Sequence, residues 1–127
     1  ADVENSISAT GSTLEAYFSN IETSTDLLSR NKIQKAVSVI EIDPLFMNIS
    51  TGDFRLSPNS SSIDAGSNNL VPQDNTDLDS DGNLDEPIPL DILKRPRFLD
   101  NEATMDDGQG VSPIIDMGAY EYSKNIE

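Results

Sequence analysis

The amino-acid sequence predicts an all-β chain of short strands joined by long loops. Three observations carry this. Apolar and polar residues alternate over 14–19 and again over 53–56, the period of a strand with one face turned inward. Ser, Asn, Asp, Pro and Gly fill the stretches between such segments, as turns require. The hydrophobic share is 35%, low for an ordinary globular domain, so loops outweigh packed elements.

At 127 residues the chain fits one domain. Its first predicted strand sets Leu14, Ala16 and Phe18 against Glu15, Tyr17 and Ser19. Over 25–42 two patterns compete. Leu28, Ala36, Val37 and Ile40 suit one side of a helix with Asp26 as cap, while Val37, Val39, Ile40 and Ile42 suit a strand. A loop or short helical turn followed by a strand accommodates both. Asp43-Pro44-Leu45-Phe46 reads as a turn that tucks two large apolar side chains inward. Asp53-Phe54-Arg55-Leu56 reads as a short strand, and Ser57 to Ser62 as turns. Ile63-Asp64-Ala65-Gly66 then re-enters the core. Phe46, Phe54 and Phe98 are expected there too. Residues 71–113 form a polar stretch too long for an idle loop, and a bound ion is one way to order it. Ile114 to Tyr122 is expected to close the chain as a final strand, with 123–127 fraying.

Charge narrows the function classes. The chain carries 23 acidic and 8 basic residues, a formal net charge of −15. Nucleic acid is not an expected partner, because binding it needs a basic footprint. The same imbalance disfavours an anionic membrane surface, and no apolar run reaches the length of a membrane span. Cysteine and histidine are both absent, which removes disulfides, zinc–thiolate sites and every imidazole-based catalytic plan from this chain. Ala1-Asp2-Val3-Glu4 is acidic where a signal sequence is basic, which predicts a mature product or an excised piece.

The acids are concentrated. Asp77, Asp79, Asp81 and Asp85 fall at positions 1, 3, 5 and 9 of one loop, with Gly82 at position 6. Calcium takes six to eight oxygens at about 2.3–2.6 Å, and alternate carboxylates on a tightly curved loop can converge to supply them. Gly82 permits the sharp turn. Asn83 would add its backbone carbonyl. Position 12 is Ile88 rather than a bidentate Glu, so Glu86 or an acid from elsewhere must complete the shell. The predicted ligands are therefore Asp77, Asp79, Asp81, Asn83, Asp85 and Glu86, and the predicted ion is calcium. The competing reading is a solvated acidic loop, which must then bear the repulsion of its own charges. Asp100, Glu102, Asp106 and Asp107 form a looser second group around Gly108 and Gly110, which suits a solvated turn better than an ion.

From Ile42 onward, six short motifs occur in order. They are Ile42-Asp43-Pro44-Leu45-Phe46, Gly52-Asp53-Phe54-Arg55-Leu56, Ser62-Ile63-Asp64-Ala65-Gly66, Asp79-Ser80-Asp81-Gly82-Asn83, Arg95-Pro96-Arg97-Phe98 and Asp116-Met117-Gly118-Ala119-Tyr120-Glu121-Tyr122. As a set this resembles the C-terminal segment of large secreted right-handed parallel β-helix proteins of the choice-of-anchor Q type. The resemblance implies a terminal rung and connection over 1–42, a C-terminal cap with the calcium loop over 43–122, and an exported or cell-surface setting. It also implies an upstream β-helix body, or another protein subunit, as the partner that the cap covers. A cap of this kind shields a solenoid's exposed end and blocks edge-on strand pairing.

Other function classes stay open. Many such proteins are related by fold to polysaccharide lyases, and a fragment of a polysaccharide lyase or hydrolase would set Arg97, an acid and a tyrosine facing one another in a groove. A glycan-binding module would instead display Tyr17, Tyr120 and Tyr122 to a polysaccharide. Against these, Arg95 and Arg97 read more simply as structural ion pairs that hold the long loop, with Asp64 or Asp116 as candidate partners, and the tyrosines as packing residues. No catalytic residue is assigned. Asn48-Ile49-Ser50 and Asn59-Ser60-Ser61 match the N-glycosylation pattern by coincidence of composition.

Overall fold

The computed structural model describes residues 14–20, 33–38, 40 and 42–124. Among these residues the regular structure is all β apart from two single 3-10 turns, Ile49–Thr51 and Asn68–Leu70. The strands are β1 (Leu14–Tyr17), β2 (Ile33–Val37), β3 (Phe46–Asn48) and β4 (Asp53–Leu56).

β1 and β2 pair in parallel, with Ala16 opposite Ala36 and Tyr17 opposite Val37. The register shifts between Leu14 and Glu15. A parallel bridge between Asn20 and Ile40 continues the pairing past the strand ends. Strand β2 thus begins ahead of the segment where Val37 to Ile42 predicts it. The helical turn considered for Asp26 and Leu28, and the fraying expected at 125–127, lie outside the described residues.

β3 and β4 form an antiparallel hairpin, turned by Ile49–Thr51 and Gly52. Phe46 and Phe54 meet edge to face, with ring centroids 5.5 Å apart. Burial here departs from expectation. Phe54 is 44% exposed and Leu45 is 38% exposed, so neither is a core residue. Leu45 is turned out by a local bend: its N–H donates to Asp43 Oδ1 at 2.8 Å.

Among the described residues the core is Leu56, at the end of β4, with Ile63, Ala65, Ile114, Ile115 and Met117. Two segments build it by running side by side. Gly66 N–H donates to Ile115 O and Met117 N–H donates to Ser62 O, each at 2.8 Å. A third segment joins them through Gly108 N–H to Asp64 O at 3.0 Å and Gln109 N–H to Gly66 O at 2.9 Å. Gly108 must be glycine, because a Cβ there would run into the Gly66 carbonyl oxygen and Ile114 Cγ2.

The predicted final strand over 114–122 does not form. Ile114, Ile115, Asp116 and Met117 are buried in succession, where a strand on one face of a core would alternate. Side chains satisfy much of this backbone in place of a ladder. Asn68 Oδ1 accepts from Ile115 N–H at 3.0 Å, and Glu121 Oε1 accepts from Asp116 N–H at 2.6 Å. A buried N–H needs a partner, but the partner need not be a strand.

Candidate functional site: an acidic loop closed at its base

The loop 74–86 is closed by a short antiparallel contact. Ile88 N–H donates to Pro72 O at 2.8 Å and Asp74 N–H to Glu86 O at 2.7 Å, on either side of a bridge between Gln73 and Pro87. Inside this neck the chain curls through a series of carboxylate-anchored turns. Asp74 accepts from Thr76 N–H and Leu78 N–H, and Asp77 Oδ1 accepts from Gly82 N–H at 3.1 Å. Asp79 accepts from Asp81 N–H, Asp81 from Asn83 N–H and Asn83 from Asp85 N–H. Asp and Asn favour this because a short side chain reaches its own backbone two residues on. Gly82 adopts φ +85°, and a Cβ there would touch nothing within 4 Å, so the position selects glycine for its backbone angle alone.

The turns gather carboxylates into two overlapping groups. Asp77, Asp79 and Asp81 bring one oxygen each within 4.8 Å of one another, and so do Asp74, Asp79 and Glu86. Oxygens on opposite sides of a calcium ion lie about 4.6–5.2 Å apart, so each group is close enough for one such ion to bridge. Asp79 belongs to both. No lysine or arginine falls between 74 and 86.

Of the six predicted ligands, Asp77, Asp79, Asp81 and Glu86 are thus brought together. Asn83 lies among them, its amide donating to Glu86 Oε2 at 3.3 Å. Asp85 belongs to neither group; it accepts from Gln73 Nε2 at 3.1 Å. Asp74 is a member that the spacing from Asp77 onward leaves out. Its signal in the sequence is Asp74-Asn75-Thr76, a turn-forming run directly ahead of the loop. It is 1% exposed, the most buried acid of the group. Glu86 has a buried Oε1 without a hydrogen-bond partner. Burial first, then the charges of Asp81, Asp79 and Asp74, push its carboxyl above the usual range. The arrangement concentrates hard oxygen donors, and among the described residues no cation pairs with them, the conditions under which a divalent cation binds.

A second set of acids lies in the core, away from this loop. Asp116 accepts from Asp64 N–H at 2.8 Å and from Tyr122 N–H at 2.6 Å. Burial pushes Asp116 up to about 6, against the pull of these donors, and pushes Glu121 up to about 9 with help from the Asp116 charge. Asp64, fully buried and beside Asp116, is pushed up to about 7. The two arginines brace this region. Arg95 pairs with Asp91 at 3.1 Å, and Arg97 faces Glu121 at 3.5 Å while donating to Gly118 O at 2.7 Å. Both form ion pairs, as expected, but with Asp91 and Glu121, not with Asp64 or Asp116. Tyr17, Tyr120 and Tyr122 are half-buried.

No family model, no curated protein and no solved structure matches this chain. Among the described residues no helix is long and apolar enough to cross a membrane.

Proposed function

We propose that this chain is a calcium-stabilised structural and interaction module, closing the C-terminal end of an exported or cell-surface parallel β-helix protein. The observation that carries it is the convergence of Asp74, Asp77, Asp79, Asp81 and Glu86 on one closed loop. In the apo chain these charges repel one another across a few ångströms. A calcium ion offsets that repulsion and ties the two limbs of the loop together. Because the ligands converge only in the folded chain, ion binding adds to folding stability. Millimolar extracellular calcium lies within the range that such modules use, so modest affinity suffices.

The end-module part of the proposal draws support from the parallel β1–β2 pair and its continuation at Asn20 and Ile40. Two parallel strands are not a solenoid, but a solenoid rung pairs in this way. The partner would be the upstream β-helix body or another subunit. On the β3–β4 hairpin, Met47, Ile49 and Phe54 remain about half exposed, which suits a surface that meets a partner. Arg97 is already engaged by Glu121 and by backbone carbonyls, which weighs against a free lyase-type arginine.

Thermal unfolding followed by circular dichroism tests the proposal. The midpoint should rise by several degrees on adding calcium to chelator-treated protein, and the rise should shrink in Asp79→Asn. Equal midpoints with calcium and with chelator would sink it.

A further inference from the structure

Asp64 is a buried acid that the loop 74–86 does not explain. It is 0% exposed, and among the described residues neither of its carboxylate oxygens finds a hydrogen-bond partner. Its backbone is fully engaged. The N–H donates to Asp116 Oδ1 at 2.8 Å, and the carbonyl accepts from Gly108 N–H at 3.0 Å. The side chain is thereby left to face the segment 100–106. There its carboxylate meets those of Asp100 and Asp106, one oxygen from each residue lying within 4.8 Å of the others. The Asn101 backbone N–H turns partial positive charge toward Asp64, but the formal charges acting on it, those of Asp116, Asp100 and Asp106, are all negative.

Such a carboxylate is costly. A buried polar group without a partner loses its hydration with nothing in return, and like charges nearby add to the cost. Its near neighbour shows what the fold does when partners exist: Asp116, equally buried, accepts from two backbone N–H groups. No described residue supplies the partner that the Asp64 carboxylate lacks, and three oxygens at this spacing define the chemistry of one from outside the chain. Thiolates and imidazoles are absent from the sequence, which removes the softer transition metals as preferred guests. Separations of at most 4.8 Å are close enough for one calcium ion to bridge, whereas magnesium keeps several of its waters and is held less readily by an all-protein cage.

We propose that Asp64, Asp100 and Asp106 form a second calcium site, with Asp64 as its buried floor and the exposed Asp100 and Asp106 as its rim. An ion there would join the Ile63-Asp64-Ala65-Gly66 core segment to the 100–106 loop, two stretches far apart in sequence. The exposed rim leaves a route by which the ion enters. Glu102 and Asp107 lie outside the cluster and serve as solvated neighbours.

Equilibrium dialysis of the full chain against calcium tests this. The double variant Asp100→Asn/Asp106→Asn changes only exposed side chains and so keeps the fold, which circular dichroism checks. It should bind one calcium fewer per chain than the parent, and Asp79→Asn should retain the site that the double variant loses. Adding Asp79→Asn to the double variant should then lower binding further, which separates failure of this site from failure of the loop. Equal calcium binding by the parent and the double variant would overturn the site, as would a parent that binds none. Asp64→Asn gives an independent reading. Unchanged calcium binding with a more stable fold would mean that a proton, and not an ion, occupies the pocket, and would also overturn it.

Discussion

In the loop 74–86 the acids are served by their own neighbourhood: Asp77 takes the Gly82 N–H, Asp79 the Asp81 N–H and Asp81 the Asn83 N–H. In the core the acids depend on distant chain. Asp116 takes its donors from Asp64 and Tyr122, and Asp64 takes none for its side chain. Both regions gather carboxylates, but water reaches one and not the other. Exposed acids held by local turns cost little when an ion leaves. Buried acids held by tertiary contacts cost a great deal when one contact is lost.

The largest expected effect follows from that difference. Asp116→Ala removes the acceptor of two N–H groups and the partner of Glu121 in one step. It should lower stability by about 3–5 kcal/mol, the range for breaking a buried polar network by deleting one member. Urea denaturation measures it. A loss below about 1 kcal/mol would mean that the buried acids do not brace the core, and the contrast with the loop would fail.

Calcium should come next. At a free concentration one hundred times its dissociation constant, an ion that binds only the folded chain adds about 2.7 kcal/mol. Denaturant titrations with calcium and with chelator check the value. Asp79→Asn should remove most of the loop's share, since Asp79 serves both carboxylate groups there. Full retention in that variant would move the effect to the core.

The pH response sharpens the same contrast. Glu121 is pushed from an ordinary 4.5 up to about 9, chiefly by burial. Between those values the folded chain holds a proton that the unfolded chain has released. Folded protein therefore binds more protons than unfolded, and stability falls as pH rises through the window. In calcium-free buffer Glu121 alone should account for a loss of about 1.4 kcal/mol between pH 6 and pH 7, the value for one proton per tenfold change, and the raised Asp64 and Asp116 steepen it. Glu121→Gln, which mimics the protonated form, should reduce the slope by that one-proton share. A slope of the opposite sign would show that Glu121 is charged in the core.

These contrasts also mark where the sequence could be read. The loop was legible because its turns are made within it, so spacing from Asp77 to Asp85 already encodes the curl. The hairpin strand Asp53–Leu56 and the strand Leu14–Tyr17 were legible from alternation. Asp74 escaped because counting began at Asp77, although the neck contact with Glu86 draws it in. Asp100 and Asp106 were legible as members of an acidic group, but Asp64 was not legible as their neighbour, because only the tertiary path of the chain, fixed at Gly66 and Gly108, brings it to them. Ile114 to Tyr122 misled for a related reason. Its pattern suits a strand, but burial of four successive residues needs partners on every side, and no one-dimensional period reports them.

The smallest effect is assigned to Asp85, and it tests how closely the loop's spacing equals its geometry. By position Asp85 belongs with Asp77, Asp79 and Asp81, yet its side chain meets Gln73 and stands outside both carboxylate groups. Asp85→Asn removes one nearby charge but no converging oxygen. Calcium affinity measured by calorimetry should weaken by no more than about threefold, against about tenfold or more for Asp79→Asn, because affinity follows the charge and number of ligands. Comparable losses in the two variants would place Asp85 in the shell. The ion would then draw the loop tighter around itself, breaking the Gln73 contact to do so, and position in sequence would have been the better guide.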